Sequence, residues 1–213
     1  MEISIIIPVY NESRSIEKTI CTIKEDLHKT DISYEIIAVD DCSDDGTSDI
    51  LVSMQNKDIR IFRNDINRGY GYSIKRGVRH SKYKNIFITD ADSTYPNHQM
   101  SGFIKRFYQE ELDMLIGRRE RQNIPLIRKP AKFLLRMFAQ YFSGHNIPDL
   151  NSGFRIFRKE IALKYINMLP DGFSLTSTIT IASLSDGCDV RWESIEYNKR
   201  SGNSKIRPIR DTL

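Results

Sequence analysis

Two runs near the N-terminus, ISIIIPV (3–9) and YEIIAV (34–39), carry Ile and Val at successive positions with little polar alternation. Such runs predict strands buried on both faces, as in a parallel sheet. Between them Ile16, Ile20, Ile23 and Leu27 recur at helical spacing, the apolar stripe of an amphipathic helix. Strand, helix and strand at this length make a βαβ unit. Further strand-like runs follow at IRIFRN (59–64), IFITDAD (86–92) and DMLIG (113–117). The pattern predicts an α/β fold with a central, mostly parallel sheet flanked by helices. Sheets of that kind bind ligands beyond the carboxyl ends of their strands. Glu12, Asp40, Asp41, Asp90 and Asp92 all fall at such ends.

Asp90 and Asp92 carry the sharpest chemical signal, because an apolar strand ends abruptly in two carboxylates separated by the small Ala91. Hard cations such as Mg²⁺ or Mn²⁺ take oxygen ligands, and Mg²⁺ commonly uses one or two carboxylates with substrate phosphates and water. Taken alone, the pair also fits a helix cap and a solvated side chain. The other acidic strand ends favour the metal reading.

Length and composition fit one enzyme-sized unit: 213 residues, three cysteines without metal-ligand spacing, and a mean hydropathy of −0.45. Scattered cysteines fit a reducing, intracellular setting. No leader-like segment opens the chain, and no apolar run approaches the length of a bilayer span.

The net charge of +4 is unevenly spread. Residues 118–136 hold Arg118, Arg119, Arg121, Arg128, Lys129, Lys132 and Arg136 against Glu120, and residues 199–213 hold Lys199, Arg200, Lys205, Arg207 and Arg210 against Asp211. The rest of the chain is acidic. Two basic segments predict an anionic partner, either phosphate groups or an anionic membrane surface. Nucleic acid is not expected, since no binding motif accompanies the charge. In KFLLRMFAQYFS the polar residues Lys132, Arg136, Gln140 and Ser143 share one stripe, with Phe, Leu, Met and Tyr elsewhere. This predicts a helix near 131–143 with a wide apolar face, suited to a membrane interface or equally to burial against the sheet or a second subunit.

Seven motifs in order, IIIPVYNE, VDDCSDDGT, NRGYGYSIKRG, DADSTYP, the GRR at 117–119, DLNSGFRIFRK and KRSGNSK, span nearly the whole chain. Together they resemble the family 2 glycosyltransferases of GT-A fold, and more narrowly the polyprenyl-phosphate glycosyltransferases around dolichyl-phosphate mannose synthase. The resemblance implies a single catalytic domain over 1–213, with a nucleotide-sugar-binding half at 1–117 and an acceptor-side half at 118–213. It implies that Pro8, Tyr10, Glu12, Asp40, Asp41, Gly71 and Ala91 line the nucleotide-sugar pocket, and that Asp90 and Asp92 hold Mg²⁺ or Mn²⁺ on the diphosphate.

The implied reaction is an inverting displacement at the anomeric carbon, with a nucleoside diphosphate leaving. With an undecaprenyl or dolichyl phosphate as acceptor no strong base is required, and Arg119, Arg128 and Lys205 are the candidates to hold the phosphate. Arg200 and Lys205 lie in a Gly-Ser loop suited to closing over a diphosphate. The family arginine aligns with either Lys199 or Arg200. With a sugar hydroxyl as acceptor, as in polysaccharide synthesis, Asp149 is the candidate base. A nucleotidyltransferase is the alternative from another class, disfavoured because PVYNE is neither Gly-rich nor basic. The resemblance places the protein at the cytoplasmic face of a membrane, peripherally or through C-terminal segments absent here, and leaves room for a homo-oligomer.

Overall fold

The computed structural model describes residues 1–119 and 147–198. The N-terminal apolar runs form β1 (Glu2–Val9) and β2 (Ser33–Asp40), joined by α1 (Ile16–Leu27). The chain continues through α2 (Thr47–Met54), β3 (Ile59–Arg63), α3 (Tyr70–His80), β4 (Asn85–Ile88), α4 (Met100–Gln109) and β5 (Met114–Arg119). After residue 147 come β6 (Arg155–Arg158), α5 (Lys159–Tyr165), α6 (Leu175–Ser185) and β7 (Val190–Ile195).

These strands form one sheet in the order β3-β2-β1-β4-β6-β5-β7. All run parallel except β6, which is antiparallel to both β4 and β5. The expectation of a mostly parallel α/β sheet is met, and RIFR supplies an antiparallel strand that the periodicity did not single out.

Both faces of the sheet are covered, which explains the unbroken Ile runs. Ile3, Ile5 and Ile7 of β1 pack with Ile16, Ile20, Ile23 and Leu27 of α1, whereas Ile6 packs on the opposite face with Ile74 and Val78 of α3. The period of two along a strand thus sends apolar side chains into two separate cores. The predicted stripe of α1 is fully buried.

Strand direction decides where the chemistry lies. The carboxyl ends of β1, β2, β4 and β5 share one rim with the amino end of β6, so Asp149–Phe154, just before β6, arrive beside the residues that follow β4.

Candidate active site

The rim is shaped by three turns through left-handed backbone. Asn11 (φ 53°) follows β1, Cys42 (φ 65°) follows β2 and Ser93 (φ 57°) follows the Asp90–Asp92 segment. For a residue other than Gly this conformation costs about 1 kcal/mol, and such strain concentrates where function fixes the backbone. Each turn is tied by polar side chains. Asn11 N–H donates to Ser43 Oγ at 2.9 Å, Asp44 N–H donates to Asn11 Oδ1 at 2.9 Å, and Glu12 N–H donates to Thr47 Oγ1 at 2.9 Å. The β1 and β2 loops therefore hold each other.

Within this frame Pro8 is buried in β1, Tyr10 is exposed just beyond it, and Glu12 accepts from Ser15 Oγ at 2.9 Å. Asp40 is buried; its Oδ1 accepts from Ser43 N–H at 3.0 Å, Ser48 Oγ donates to Oδ2, and Arg63 Nε lies 3.6 Å away. Asp41 is also buried. Its Oδ1 accepts from Asn64 Nδ2 (2.7 Å) and Arg68 N–H (2.9 Å), and its Oδ2 accepts from Gly69 N–H (2.7 Å). This carboxylate organises the turn into α3.

Gly71 has a different neighbour from the ligand that the sequence suggested. A Cβ there would lie 2.3 Å from Pro170 O and 2.8 Å from Gly172 O, so its bareness admits the 170–172 loop of the chain itself. Tyr72 N–H donates to Asp171 O in the same contact, at 3.1 Å.

Asp90 and Asp92 follow β4 as expected. Asp92 Oδ1 accepts from both Thr94 N–H (3.1 Å) and Thr94 Oγ1 (2.6 Å), while the buried Ala91 carbonyl accepts from Thr19 Oγ1 at 3.1 Å. Asp90 Oδ1 accepts from Tyr70 Oη at 3.0 Å. Two carboxylates supply the hard oxygen donors that Mg²⁺ or Mn²⁺ needs. Among the described residues no three His, Cys, Asp or Glu side chains gather into a metal cage. A pair of carboxylates is the donor chemistry that suits an ion whose shell a diphosphate and water complete.

Arg119 and Asp149, assigned separate tasks by the sequence, are partners. Arg119 Nε donates to Asp149 Oδ2 at 2.8 Å and Nη2 to Oδ1 at 2.9 Å, and the guanidinium lies 5.5 Å from the centre of the Tyr197 ring. Burial alone would raise the Asp149 pKa, but the hydrogen bonds and charge of Arg119 outweigh it and hold the carboxyl below its usual value. That is the opposite of what a general base near neutral pH requires.

Several residues at the rim were not singled out by the sequence. Tyr95 Oη accepts from Gly153 N–H at 2.7 Å, and burial, with the Asp90 charge, raises the Tyr95 pKa. Arg155 is fully buried and donates to the carbonyls of Leu150, Ser152 and Thr176 and to Thr180 Oγ1. Burial lowers its pKa to about 10, so it remains a cation at neutral pH. Its place within SGFR was the available signal. Trp192 Nε1 donates to Asp149 O at 2.9 Å. The sequence candidates Arg128, Lys199, Arg200 and Lys205, and the helix expected near 131–143, lie outside the described residues.

The family model for glycosyl transferase family 2 matches residues 4–166. An uncharacterized protein of Methanocaldococcus jannaschii is 29% identical over 96% of this chain and 87% of its own length. The undecaprenyl-phosphate 4-deoxy-4-formamido-L-arabinose transferase of Salmonella choleraesuis is 29% identical over 75% of this chain and 50% of its own length. Among solved structures, glucosyl-3-phosphoglycerate synthase of Mycobacterium tuberculosis, in complex with Mn²⁺, UDP and glucosyl-3-phosphoglycerate, superposes with a TM-score of 0.69 at 16% identity, covering 93% of this chain and 72% of that one. The sheet order and this likeness define a GT-A α/β fold.

Proposed function

Since the chain belongs to glycosyl transferase family 2, enzymes acting on nucleotide-sugar donors, we propose that it moves a sugar from a nucleoside-diphosphate sugar to a polyprenyl phosphate with inversion. The observation that carries this reading is the pairing of Arg119 with Asp149 on the rim that also bears Asp90 and Asp92. It gives the acceptor side a cation whose orientation a carboxylate fixes. A phosphate acceptor needs a positive holder rather than a proton acceptor. The Salmonella transferase named for undecaprenyl phosphate supports the same choice. The nucleotidyltransferase alternative falls with the family assignment.

In this reading residues 1–117 take the donor and 118–213 the acceptor. Pro8, Tyr10, Glu12 and Asp40 border the base and ribose, while Asp41 and Gly71 shape the pocket through the turn into α3. Asp90 and Asp92 would hold Mg²⁺ or Mn²⁺ against the diphosphate; the ion would supply Lewis-acid stabilisation of the leaving group's charge. The mycobacterial complex with Mn²⁺ and UDP supports a divalent ion as a partner of the donor nucleotide. A guanidinium has five N–H donors, and Arg119 commits two of its own to Asp149. It can therefore be oriented by Asp149 and still face an acceptor phosphate. Arg128, Arg200 and Lys205 are assigned to the anionic substrates, and the helix near 131–143 to a membrane surface, from sequence. Among the described residues no helix is long and apolar enough to cross a membrane.

The test is a transfer assay offering UDP- and GDP-linked sugars with either a short-chain polyprenyl phosphate or free sugars as acceptor. The expected product is a lipid-linked sugar phosphate. Transfer confined to sugar hydroxyls would overturn the acceptor assignment.

A further inference from the structure

The first residue of α3 connects two acidic strand ends. The Asp41 carboxylate after β2 binds the N–H groups of Arg68 and Gly69 and so fixes the turn, with Gly69 at φ 103°, from which Tyr70 emerges. The Tyr70 ring stacks on Phe173, with centroids 5.0 Å apart and planes 20° from parallel. The 170–172 loop closes beneath it on Gly69 and Gly71. Held at both ends, Tyr70 donates its hydroxyl to Asp90 Oδ1 at 3.0 Å. Gly153 makes room for that contact, since a Cβ there would lie 2.7 Å from Asp90 Oδ1 and 2.9 Å from Tyr70 Oη.

We propose that Tyr70 is a positioning residue for sugar transfer: anchored by Asp41 and Phe173, its hydroxyl fixes the Asp90 carboxylate in the orientation that receives the cation of the donor diphosphate. The inference rests on the assignment of Asp90 made above. The terminal torsion of an Asp side chain is broad, so each hydrogen bond to its carboxylate narrows the planes it samples. A hydrogen bond to one oxygen narrows that range before substrate arrives. Partners of this kind commonly change metal affinity or activity about 10–100-fold when removed.

Tyr70→Phe deletes the hydroxyl and keeps the ring on Phe173, which separates positioning from packing. Mn²⁺ affinity in the presence of UDP or GDP is read by electron paramagnetic resonance, beside kcat, KM and the Tm of the metal-free protein. The expected result is a loss of Mn²⁺ affinity and of kcat of about tenfold, with the Tm unchanged. Gly153→Ala, whose Cβ would press on Asp90 Oδ1 as well as on Tyr70 Oη, should lower Mn²⁺ affinity at least as much. Wild-type Mn²⁺ affinity in Tyr70→Phe would overturn the proposal while leaving Asp90 in place. Should Gly153→Ala fail to fold, Tyr70→Phe decides alone. If the wild type takes up no Mn²⁺ with either nucleotide, the assignment of Asp90 fails and the inference with it.

Discussion

Arg119 and Asp149 grip each other through two parallel hydrogen bonds, at 2.8 and 2.9 Å, across the rim between β5 and the segment leading into β6. A further bond, from Arg119 N–H to Asp149 Oδ2 at 3.3 Å, fixes the carboxylate to the backbone as well. Such a pair orients a guanidinium and holds its partner ionised.

If Asp149 orients Arg119 rather than accepting a proton, Asp149→Asn should keep substantial transfer activity with an unaltered pH profile. Arg119→Ala should instead raise the KM for the phosphate acceptor about tenfold, equivalent to roughly 1.4 kcal/mol. Steady-state kinetics across pH distinguishes the two. Loss of a basic limb in Asp149→Asn would restore that residue as a base.

The same pair gives a pH dependence of stability. Asp149 has a lowered pKa when folded, so its contribution is present above the ordinary carboxylate range, near pH 4, and is lost as the pH falls through the folded value. Urea unfolding of wild type and Asp149→Asn should differ most at neutral pH, and the gap should close in acid. A gap that widens in acid would contradict the assignment.

Trp192 is the single tryptophan of the chain, and its indole N–H donates to the Asp149 carbonyl. Its fluorescence should therefore report acceptor binding. Titrating a short-chain polyprenyl phosphate is expected to change the emission, and Arg119→Ala should suppress that change. A signal that responds to nucleotide alone would place the acceptor elsewhere.

Much of this fold was legible because burial on two faces leaves a direct trace. Runs such as Ile5, Ile6 and Ile7 can be paired only inside a covered sheet, and the α1 stripe appears as spaced. The acidic strand ends were visible for the same reason. What escaped was contact between segments distant in sequence. Nothing in DLNSGFR announces that Asp149 will meet Arg119, thirty residues earlier. Nor does the glycine pattern at 69–77 show that Gly71 faces Pro170 and Gly172. Tyr70 and Arg155 were hidden within quoted motifs, because their roles depend on partners brought by the sheet order.

Arg155 makes that point testable. Its guanidinium gathers oxygens from Leu150, Ser152, Thr176 and Thr180, joining the segment before β6 to α6. Arg155→Met would leave buried carbonyls unsatisfied and should cost about 3 kcal/mol in urea unfolding. Arg155→Lys should recover only part, since an ammonium cannot reproduce the planar fork. A neutral effect of the Met substitution would show that the network relaxes around the loss.

The most direct test is calorimetric titration of UDP and GDP into wild type and Asp92→Asn, each with Mn²⁺ and with a chelator. One nucleotide should bind the wild type at least tenfold more tightly with Mn²⁺, and that gain should vanish in Asp92→Asn. Equal affinity with and without the ion, or an intact Mn²⁺ gain in the variant, would contradict a cation held by the carboxylates after β4.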